Sequence, residues 1–449
     1  MNNENKKTNP IKKDPFDAIK EPFNRFLKIE SSGGILLIFA TIAALFIANS
    51  GLGSEYELFW KQDFTVGSEL FHLTKPIIFW INDGLMAIFF FMVGLEIKRE
   101  LLAGELSSPK QAALPIIAAI GGMIVPALLF TFLNYGKVGS EGWGIPMATD
   151  IAFSLGILSL LGKRVPLALK IFLVAFAIVD DIGAVIVIAL FYSAQIHWSL
   201  LWIALALVAI LFLFNYLNIH FIPFYMLIGW IVWYLFLKAG IHPTIAGVLI
   251  AFSIPSTRKI KLKDFSFKIK QSIEDFCDEP CESSITLNHK QLASIDNMEN
   301  HLHKVQSPLQ ALEHKLHGFV TFVVMPLFAF ANAGVVLSGF GLESFNSLTI
   351  NVTLSLFLGK IIGIFLFTYL TIKLKIAEIP RNITWSNILG VSILGGIGFT
   401  MSIFISTLAY SNIILINQAK LGILFGSFFA ALFGFMYLKF TLKNKLADE

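Results

Sequence analysis

The sequence has little charge and lacks the familiar motifs of covalent catalysis. Only 14% of its 449 residues are charged, whereas about 25% of a soluble domain is charged. It has no glycine-rich phosphate loop, no Ser/His/Asp pattern and no low-complexity tract. These features exclude a soluble globular domain, and neither phosphate binding nor nucleophilic hydrolysis has support in the sequence.

Long apolar runs, by contrast, are abundant. Hydrophobic residues make up 56% of the chain, and runs of about 20 residues, long enough to cross a bilayer as a helix, recur along most of its length. We therefore predict an all-α polytopic membrane protein. About twelve transmembrane helices are predicted, at residues 33–50, 77–95, 111–133, 143–161, 167–193, 199–217, 222–237, 241–255, 318–337, 350–372, 386–408 and 417–438.

Lys and Arg are distributed unevenly around these spans. With twelve spans both termini lie on one side, which carries 18 Lys and Arg residues, and the loop at 256–317 adds nine more. The opposite side carries four, with a fifth, Lys420, at the edge of a span. The positive-inside rule then predicts that both termini are cytoplasmic. The net charge of +4 reflects this bias, so we expect no nucleic-acid partner.

The segments outside the bilayer divide the chain into five regions. They are a cytoplasmic tail (1–32), spans one to eight (33–255), a cytoplasmic loop with an insertion (256–317), spans nine to twelve (318–440) and a second cytoplasmic tail (441–449). In the first tail, apolar residues at helical spacing predict a helix on the membrane surface, with a disordered tail as the alternative. These residues are Phe16, Ile19, Phe23, Phe26 and Leu27.

The loop at 256–317 changes from basic to acidic sequence and then becomes rich in His and Asn, which favours a flexible loop. Its predicted cytoplasmic position argues against a disulfide between Cys277 and Cys281. A zinc site is the alternative, although the spacing matches known zinc motifs poorly. Its ligands would be the two cysteines with His289, His301 and His303.

The region at 51–75, on the opposite face, mixes aromatic and polar residues and ends at Pro76. Partial alternation of side chains around Phe64 predicts a small β-hairpin there.

Ionisable residues within the spans are few. Side chains of this kind face the protein interior or a water-filled cavity, and by default they indicate an ion path. They are Asp83, Glu96, Asp150, Lys170, Asp180, Asp181 and Lys360. Glu96 and Lys170 lie near the predicted cytoplasmic ends of their spans, whereas Asp150, Asp180, Asp181 and Lys360 lie deep.

Asp180 and Asp181 are adjacent in the middle of an apolar run. Neighbours on a helix point about 100° apart, so one acid can face an ion path while the other meets a partner such as Lys360. Two buried acids repel and titrate as a coupled unit, and their oxygens suit a small hard cation. The alternative is a pair of structural ion pairs.

Two of the predicted spans are interrupted. In the fourth, Gly144 and Pro146 come just before Thr149 and Asp150, and the eleventh contains the glycine-rich stretch 395–398. Such interruptions free backbone groups that only protein or a water-lined cavity can satisfy. One interrupted span in each half indicates inverted-topology repeats with a binding site between discontinuous helices. The alternative is that the glycines only permit close helix packing.

The ends of half-helices carry partial charges. We expect Asp150 to neutralise the N-terminal ends and Lys360 the C-terminal ends.

Several motifs together resemble bacterial NhaA-type sodium/proton antiporters, over about residues 30–440. They are Trp80-Ile-Asn-Asp, Gly94-Leu-Glu-Ile-Lys-Arg-Glu, Ala148-Thr-Asp-Ile-Ala-Phe-Ser-Leu-Gly, Val165-Pro-Leu-Ala-Leu-Lys-Ile-Phe-Leu, Asp180-Asp181, Leu327-Phe-Ala-Phe-Ala-Asn-Ala-Gly and Gly395-Gly-Ile-Gly-Phe-Thr-Met-Ser. The resemblance implies a twelve-helix antiporter of the bacterial inner membrane, in which spans four and eleven are broken helices that cross.

In that family an aspartate pair binds sodium or lithium alternately with protons. The resemblance assigns this role to Asp180 and Asp181, with Asp181 as the principal cation ligand. It places Thr149 and Asp150 beside the broken fourth helix and makes Lys360 the deep lysine of the family. No cofactor is implied beyond the transported ions, and the 51–75 segment is expected to support a homodimer.

The resemblance also implies regulation by pH. The residues at the matching positions are Glu96, Arg99, Glu100, Glu313, His314 and His317. Two departures affect this assignment: the 256–306 insertion precedes the segment with His314, and Gly318 stands where the family has proline.

The expected activity is electrogenic, pH-regulated export of cytoplasmic sodium or lithium in exchange for external protons. One rival is an intramembrane aspartyl protease, which needs carboxylates on two helices facing across a gap. A second rival is a sodium-coupled solute symporter, for which no feature of the sequence indicates a solute.

Overall fold

The computed structural model describes residues 32–68, 71–192, 196–277, 286–336, 346–380 and 383–442. The predicted surface helix of the N-terminal tail and Cys281 lie outside these residues. Within them the chain forms sixteen helices and one two-stranded sheet, so the prediction of an all-α membrane fold is confirmed.

The helices are numbered in chain order. They are α1 (Ser32–Ala48), α2 (Gly53–Lys61), α3 (Ile77–Ala103), α4 (Pro109–Leu133), α5 (Ile151–Ser159), α6 (Leu167–Phe191), α7 (Trp198–Tyr216), α8 (Ile222–Ala239), α9 (Thr244–Ser253), α10 (Leu262–Cys277), α11 (His289–Val305), α12 (Pro308–Asn332), α13 (Ser347–Lys373), α14 (Trp385–Leu394), α15 (Phe399–Ala409) and α16 (Ile413–Thr441). A 3₁₀ segment, Ser140–Met147, precedes α5, and a π-helical turn, Ser355–Gly359, lies within α13.

Each predicted span coincides with a helix or with a broken pair of helical segments. Among the described residues, eight helices are long and apolar enough to cross a membrane, or up to ten if each of two bent pairs counts as one span. The bent pairs are α1 with α2, at 112°, and α14 with α15, at 45°. The fourth and eighth spans contain helices of nine and ten residues, so the count of twelve stays a prediction.

The β-hairpin predicted within 51–75 is confirmed. Strands β1 (Asp63–Ser68) and β2 (Phe71–Pro76) pair antiparallel, with Asp63 opposite Pro76. The hydroxyls of Thr65 and Thr74 form a cross-strand hydrogen bond of 2.8 Å. The hairpin leads directly into α3.

The prediction of a flexible loop at 256–317 is wrong for most of the segment. Helices α10 and α11 pack against each other there, with Phe265, Ile269 and Phe276 half-buried on one side of α10. Asn288 begins α11 with a reciprocal capping box, which stabilises a helix start. The polar composition concealed this helical spacing. Among the described residues, no three His, Cys, Asp or Glu side chains form a group that could hold a metal ion.

Helix α6 lies at the centre of the bundle, in contact with α3, α4, α5 and α14. On its outer side α4 and α13 pack closely, because Gly121 and Gly363 let their backbones approach. A second apolar cluster joins α7, α8 and α9 to one side of α3. This packing surrounds the middle of α6 with protein, and the two interrupted spans lie against it.

Candidate functional site

The two interrupted spans meet at their breaks. In the fourth span, the 3₁₀ segment ends at Met147 and α5 begins at Ile151, which leaves residues 148–150 without helical structure. In the eleventh, α14 ends at Leu394 and α15 begins at Phe399. The two breaks are joined directly, because the backbone N–H of Asp150 donates to the carbonyl of Ile397 at 2.7 Å.

Close packing and the breaks both depend on glycine here. A Cβ atom on Gly398 would lie only 2.8 Å from the carbonyl oxygen of Ala148. The glycines therefore interrupt the eleventh span and also let the two broken spans approach closely. The two interpretations of the sequence, a discontinuous helix and close helix packing, describe the same feature.

One buried carboxylate serves the N-terminal ends of two half-helices. Asp150 Oδ1 accepts from the backbone N–H of Phe153 in α5 at 2.9 Å. Its Oδ2 accepts from the backbone N–H of Thr400 in α15 at 3.1 Å and also from the Thr400 hydroxyl. Asp150 is 1% exposed, so these bonds satisfy donors that no water can reach. The negative charge lies where both helix dipoles favour it.

The C-terminal end of α14 is satisfied by hydroxyl groups. Thr149 Oγ1 donates to the carbonyl of Gly395 at 2.9 Å, and Ser154 Oγ donates to the carbonyl of Leu394 at 3.1 Å. The expectation that Lys360 neutralises these ends is wrong, because its ammonium group is bonded to Asp180 instead. Sequence reasoning missed Ser154 and Thr400, although both lie within the quoted motifs.

The deep lysine pairs with the first acid of the adjacent pair. Lys360 Nζ in α13 donates to Asp180 Oδ2 in α6 at 2.7 Å, and both side chains are fully buried. The ammonium group also lies 5.7 Å from the centre of the Phe176 ring. Lys360 directly follows the π-helical turn Ser355–Gly359, which sets its direction on α13.

One carboxylate oxygen of Asp180 and one of Asp181 take no part in these contacts. Oδ1 of Asp180 and Oδ1 of Asp181 are buried and have no hydrogen-bond partner among the described residues. Buried polar atoms are normally paired, so an orphaned one needs an explanation. Carboxylate oxygens with free lone pairs, here on two adjacent residues, are suitable ligands for a proton or a small hard cation.

The other intramembrane acids differ in their relation to the pair. Asp150 and Glu96 are close enough to Asp181 for their charges to act on it. Asp83 instead has a separate partner, since its carboxylate lies 3.6 Å from Nδ1 of His242. The structure therefore groups Asp150, Asp181 and Glu96 around one region.

Comparison with known proteins decides the family. The defining pattern of the family described as Na+/H+ antiporter 1 matches residues 24–438. The chain belongs to this family.

Proteins named Na(+)/H(+) antiporter NhaA are similar over nearly the whole chain. The one from Oleidesulfovibrio alaskensis is 47% identical over 441 residues, covering 97% of this chain and 97% of the relative. That from Sulfurimonas denitrificans is 46% identical over 432 residues, covering 96% and 97%. That from Bacteroides fragilis is 47% identical over 432 residues, covering 94% and 98%. The resemblance read from the motifs is confirmed.

In this member of the antiporter family, a cavity of about 420 Å³ opens at the end of the bundle predicted to be cytoplasmic. Its lining residues are Arg99, Glu100, Gly104, Glu105, Leu155, Lys170, Ile171, Val174 and Ala175. Val174 precedes Asp181 by seven residues on α6, which is about 10 Å along a helix. The cavity thus approaches the acidic pair from one end of α6.

The residues matched to pH sensing include one bonded group, formed by Arg99, Glu100 and Glu313. Arg99 Nε lies 2.8 Å from Glu313 Oε1, and Arg99 Nη1 lies 2.9 Å from Glu100 Oε1. Glu96 lies one turn earlier on α3 and is half-buried. His314 and His317 are exposed on α12. In the part of the chain that the structure describes, no hydrogen bond or ion pair joins these histidines to Arg99.

Proposed function

We propose that this chain is a secondary antiporter that exports cytoplasmic sodium or lithium in exchange for external protons. The observation that carries the proposal is the adjacent pair Asp180 and Asp181 in α6, with one buried oxygen of each left without a partner among the described residues. The pair lies beside two crossing broken helices in a chain of the Na+/H+ antiporter 1 family.

We assign cation and proton binding to Asp180 and Asp181, with Asp181 as the principal ligand. The pairing of Asp180 with Lys360 supports this order, because Asp180 already has a cationic partner within the protein. Thr149 and Asp150 support the site by joining the two broken spans. Lys360 supports it by orienting Asp180. The chain then needs no resident cofactor, since sodium, lithium and protons are its cargo.

The exchange follows from competition for the same oxygens. When the site opens toward the cytoplasmic cavity, the acids release protons to water there, and the exposed carboxylates take up a cation. When it opens to the other side, the cation leaves and protons return to the carboxylates. A dianionic site buried in protein without a cation is costly, so the empty charged state is avoided and the two fluxes are coupled without ATP.

Flux measurements in inside-out vesicles test this activity. Adding sodium or lithium to energised vesicles should move protons, and adding potassium should not. Asp181→Asn should abolish the sodium response, whereas the surface variant Asp264→Asn, on α10, should keep it. Retained sodium-dependent proton flux in Asp181→Asn would refute the assignment of the principal ligand.

We further propose that the cycle moves net charge. If both acids together exchange two protons for one cation, the membrane potential contributes to sodium export. Imposing a potential on proteoliposomes should then change the exchange rate. A rate that is indifferent to the potential would rule out this stoichiometry.

We place pH regulation at the cytoplasmic cavity. The partly buried contacts among Arg99, Glu100 and Glu313 support this, because Arg99 and Glu100 line the cavity that approaches the pair. Glu96, His314 and His317 complete the proposed set. Glu313→Gln should shift the pH dependence of exchange while leaving the maximal rate close to normal, and an unchanged profile would remove Glu313 from the set.

The rivals fit the geometry less well. An aspartyl protease needs two free carboxylates facing across a gap, but Asp180 is held by Lys360, and Asp150 is occupied by the N–H groups of Phe153 and Thr400. Cleavage of peptides by the purified protein would revive that alternative. Uptake of an organic solute with sodium would identify a symporter.

We assign the protein to the bacterial inner membrane as a multi-pass protein with both termini in the cytoplasm. The excess of Lys and Arg on one side supports the orientation. The hairpin of β1 and β2 presents Phe64 and Val66 to the outside, which supports its use in a homodimer.

A further inference from the structure

Helix α10 has three distinct sides. Phe265, Ile269, Ser272 and Phe276 are its less exposed residues, and they follow helical spacing on one side. A second side, adjacent to the first around the helix axis, carries Leu262, Ser266, Lys270 and Ile273. The remaining side carries Asp264, Lys268, Gln271 and Asp275, all exposed.

The second side combines exposed apolar groups with positive charge. Leu262 is 60% exposed and Ile273 is 48% exposed, although both are large hydrophobic residues. Lys270 and Lys263 come next around the helix, and Phe267, 71% exposed, lies at the far edge of this side. We name this surface, made of Leu262, Lys263, Ser266, Phe267, Lys270 and Ile273, the basic–apolar face.

More positive charge lies just before the helix. Arg258 and Lys259 are exposed, as is Lys261, so five basic residues precede or occupy the basic–apolar face. The acids Asp264 and Asp275 lie on a different side of the helix. Glu274 projects between Lys263 and Phe267, within the basic–apolar face, where its carboxylate is 3.9 Å from Lys270 Nζ and both side chains are mostly exposed.

The insertion is tied to the end of the membrane-embedded bundle. Lys98 Nζ donates to the carbonyls of Phe252 and Ile254, which fixes the end of α9 against α3. The backbone N–H of Leu309 donates to the carbonyl of Pro255 at 3.1 Å, and that of Lys259 donates to the carbonyl of Lys304 at 3.1 Å. The two ends of the insertion therefore meet, and α10 begins within a few residues of the end of a span.

We propose that α10 lies on the cytoplasmic surface of the bilayer, with its basic–apolar face bound to anionic lipid headgroups. Exposed apolar residues beside lysines on one side of a helix are typical of interfacial helices. The cytoplasmic leaflet carries the anionic lipids that attract such clusters near the end of a span. The lysines contact headgroup phosphates, while Leu262, Phe267 and Ile273 enter the boundary with the acyl chains. The side with Asp264 and Asp275 faces the cytoplasm.

The charge pattern favours lipid over a protein partner. Five positive residues lie on the approach to the helix and on the basic–apolar face, whereas Lys268 lies on the side with Asp264 and Asp275. A negatively charged plane contacts those five at once. It also accepts the separate apolar residues without a matching pocket, which a protein partner would have to supply.

Site-directed spin labelling of the full-length protein tests the proposal. In a cysteine-free variant, Cys277→Ser with Cys281→Ser, a nitroxide is placed at Ser266→Cys on the basic–apolar face or at Gln271→Cys on the opposite side. Each protein is reconstituted in phosphatidylcholine vesicles, with or without phosphatidylglycerol. With phosphatidylglycerol, collisions of the label at 266 with a water-soluble nickel complex should fall several-fold. The label at 271 should not change.

A charge variant separates lipid binding from folding. Lys261→Gln, Lys263→Gln and Lys270→Gln together should remove the effect of phosphatidylglycerol at position 266 while leaving the spectrum in phosphatidylcholine unchanged. Equal nickel access at 266 and 271 in both lipids would show that α10 does not lie on the bilayer. Protection at 266 that is the same without phosphatidylglycerol, or that grows with protein-to-lipid ratio, would overturn recognition of anionic lipid and indicate a neutral interface or a second copy of the chain.

Discussion

At the scale of single residues, two adjacent acids differ in their partners. Asp180 and Asp181 have the same chemistry and nearly the same burial, but Lys360 bonds to Asp180. The sequence predicts that one acid of the pair meets a partner and that Lys360 is a candidate. It does not predict which acid, because that depends on the rotation of α6 against α13.

The buried ion pair leads to a prediction about stability. Lys360→Met leaves Asp180 buried without its partner, and losing one member of a buried pair costs about 3–5 kcal/mol. The double variant Asp180→Asn with Lys360→Met removes both charges and should be clearly more stable than Lys360→Met alone. Thermal unfolding in one detergent, with one protein concentration, gives the order of the midpoints.

The contradicting outcome is equally specific. If the double variant is less stable than Lys360→Met, the two side chains stabilise the fold independently, and the ion pair is not the relevant interaction.

At the scale of elements, the breaks in the fourth and eleventh spans organise the site. The glycines and Pro146 predict these breaks, since they interrupt apolar runs of spanning length. The hydroxyl bonds that join the breaks were not predicted. Thr149 and Ser154 reach carbonyls of α14 about 240 residues away in sequence, and only the folded arrangement brings these partners together.

The contact between the two broken spans leads to a prediction with a matched control. Thr149→Val keeps the side-chain volume but leaves the carbonyl of Gly395 without its donor, at a cost of about 1–3 kcal/mol. Ser392→Ala removes a hydroxyl that bonds to Ile388 within the same helix. This loss should be within about 0.5 kcal/mol, because the carbonyl of a helical residue already has a backbone partner.

Unfolding midpoints of the two variants, measured side by side, check this. Equal destabilisation would mean that the contact between the broken helices adds nothing beyond an ordinary intrahelical bond.

The insertion shows that composition alone does not predict secondary structure. Its polar, charged sequence favoured a flexible loop, but α10 and α11 form because apolar residues recur at helical spacing and a capping box begins α11. In a segment with so few apolar residues, spacing predicts structure better than average polarity does.

At the scale of the whole molecule, the two ends of the bundle differ. A cavity opens at the end with Arg99 and Lys170. At the other end Tyr410 donates to the carbonyl of Gly139 at 2.7 Å, and Ser402 donates to the carbonyl of Ile145 at 2.8 Å. These bonds hold the 3₁₀ segment over the far side of the crossing. The described cavity therefore opens toward the predicted cytoplasm.

Thiol labelling tests this asymmetry and the orientation together. In the cysteine-free background, Val174→Cys in the cavity should react with a membrane-impermeant thiol reagent in inside-out vesicles. Ala184→Cys, buried on the same helix beyond the acidic pair, should react far more slowly in the same vesicles. Faster reaction of Val174→Cys in right-side-out vesicles would reverse the predicted orientation.

The central claim is that protons and sodium compete for the carboxylates of Asp180 and Asp181. The most direct test is proton release from purified protein in weakly buffered detergent solution on addition of sodium. Wild-type protein should release protons with sodium or lithium but not with potassium, and Asp181→Asn should release none. Sodium binding to wild-type protein without proton release, or undiminished release from Asp181→Asn, would contradict it.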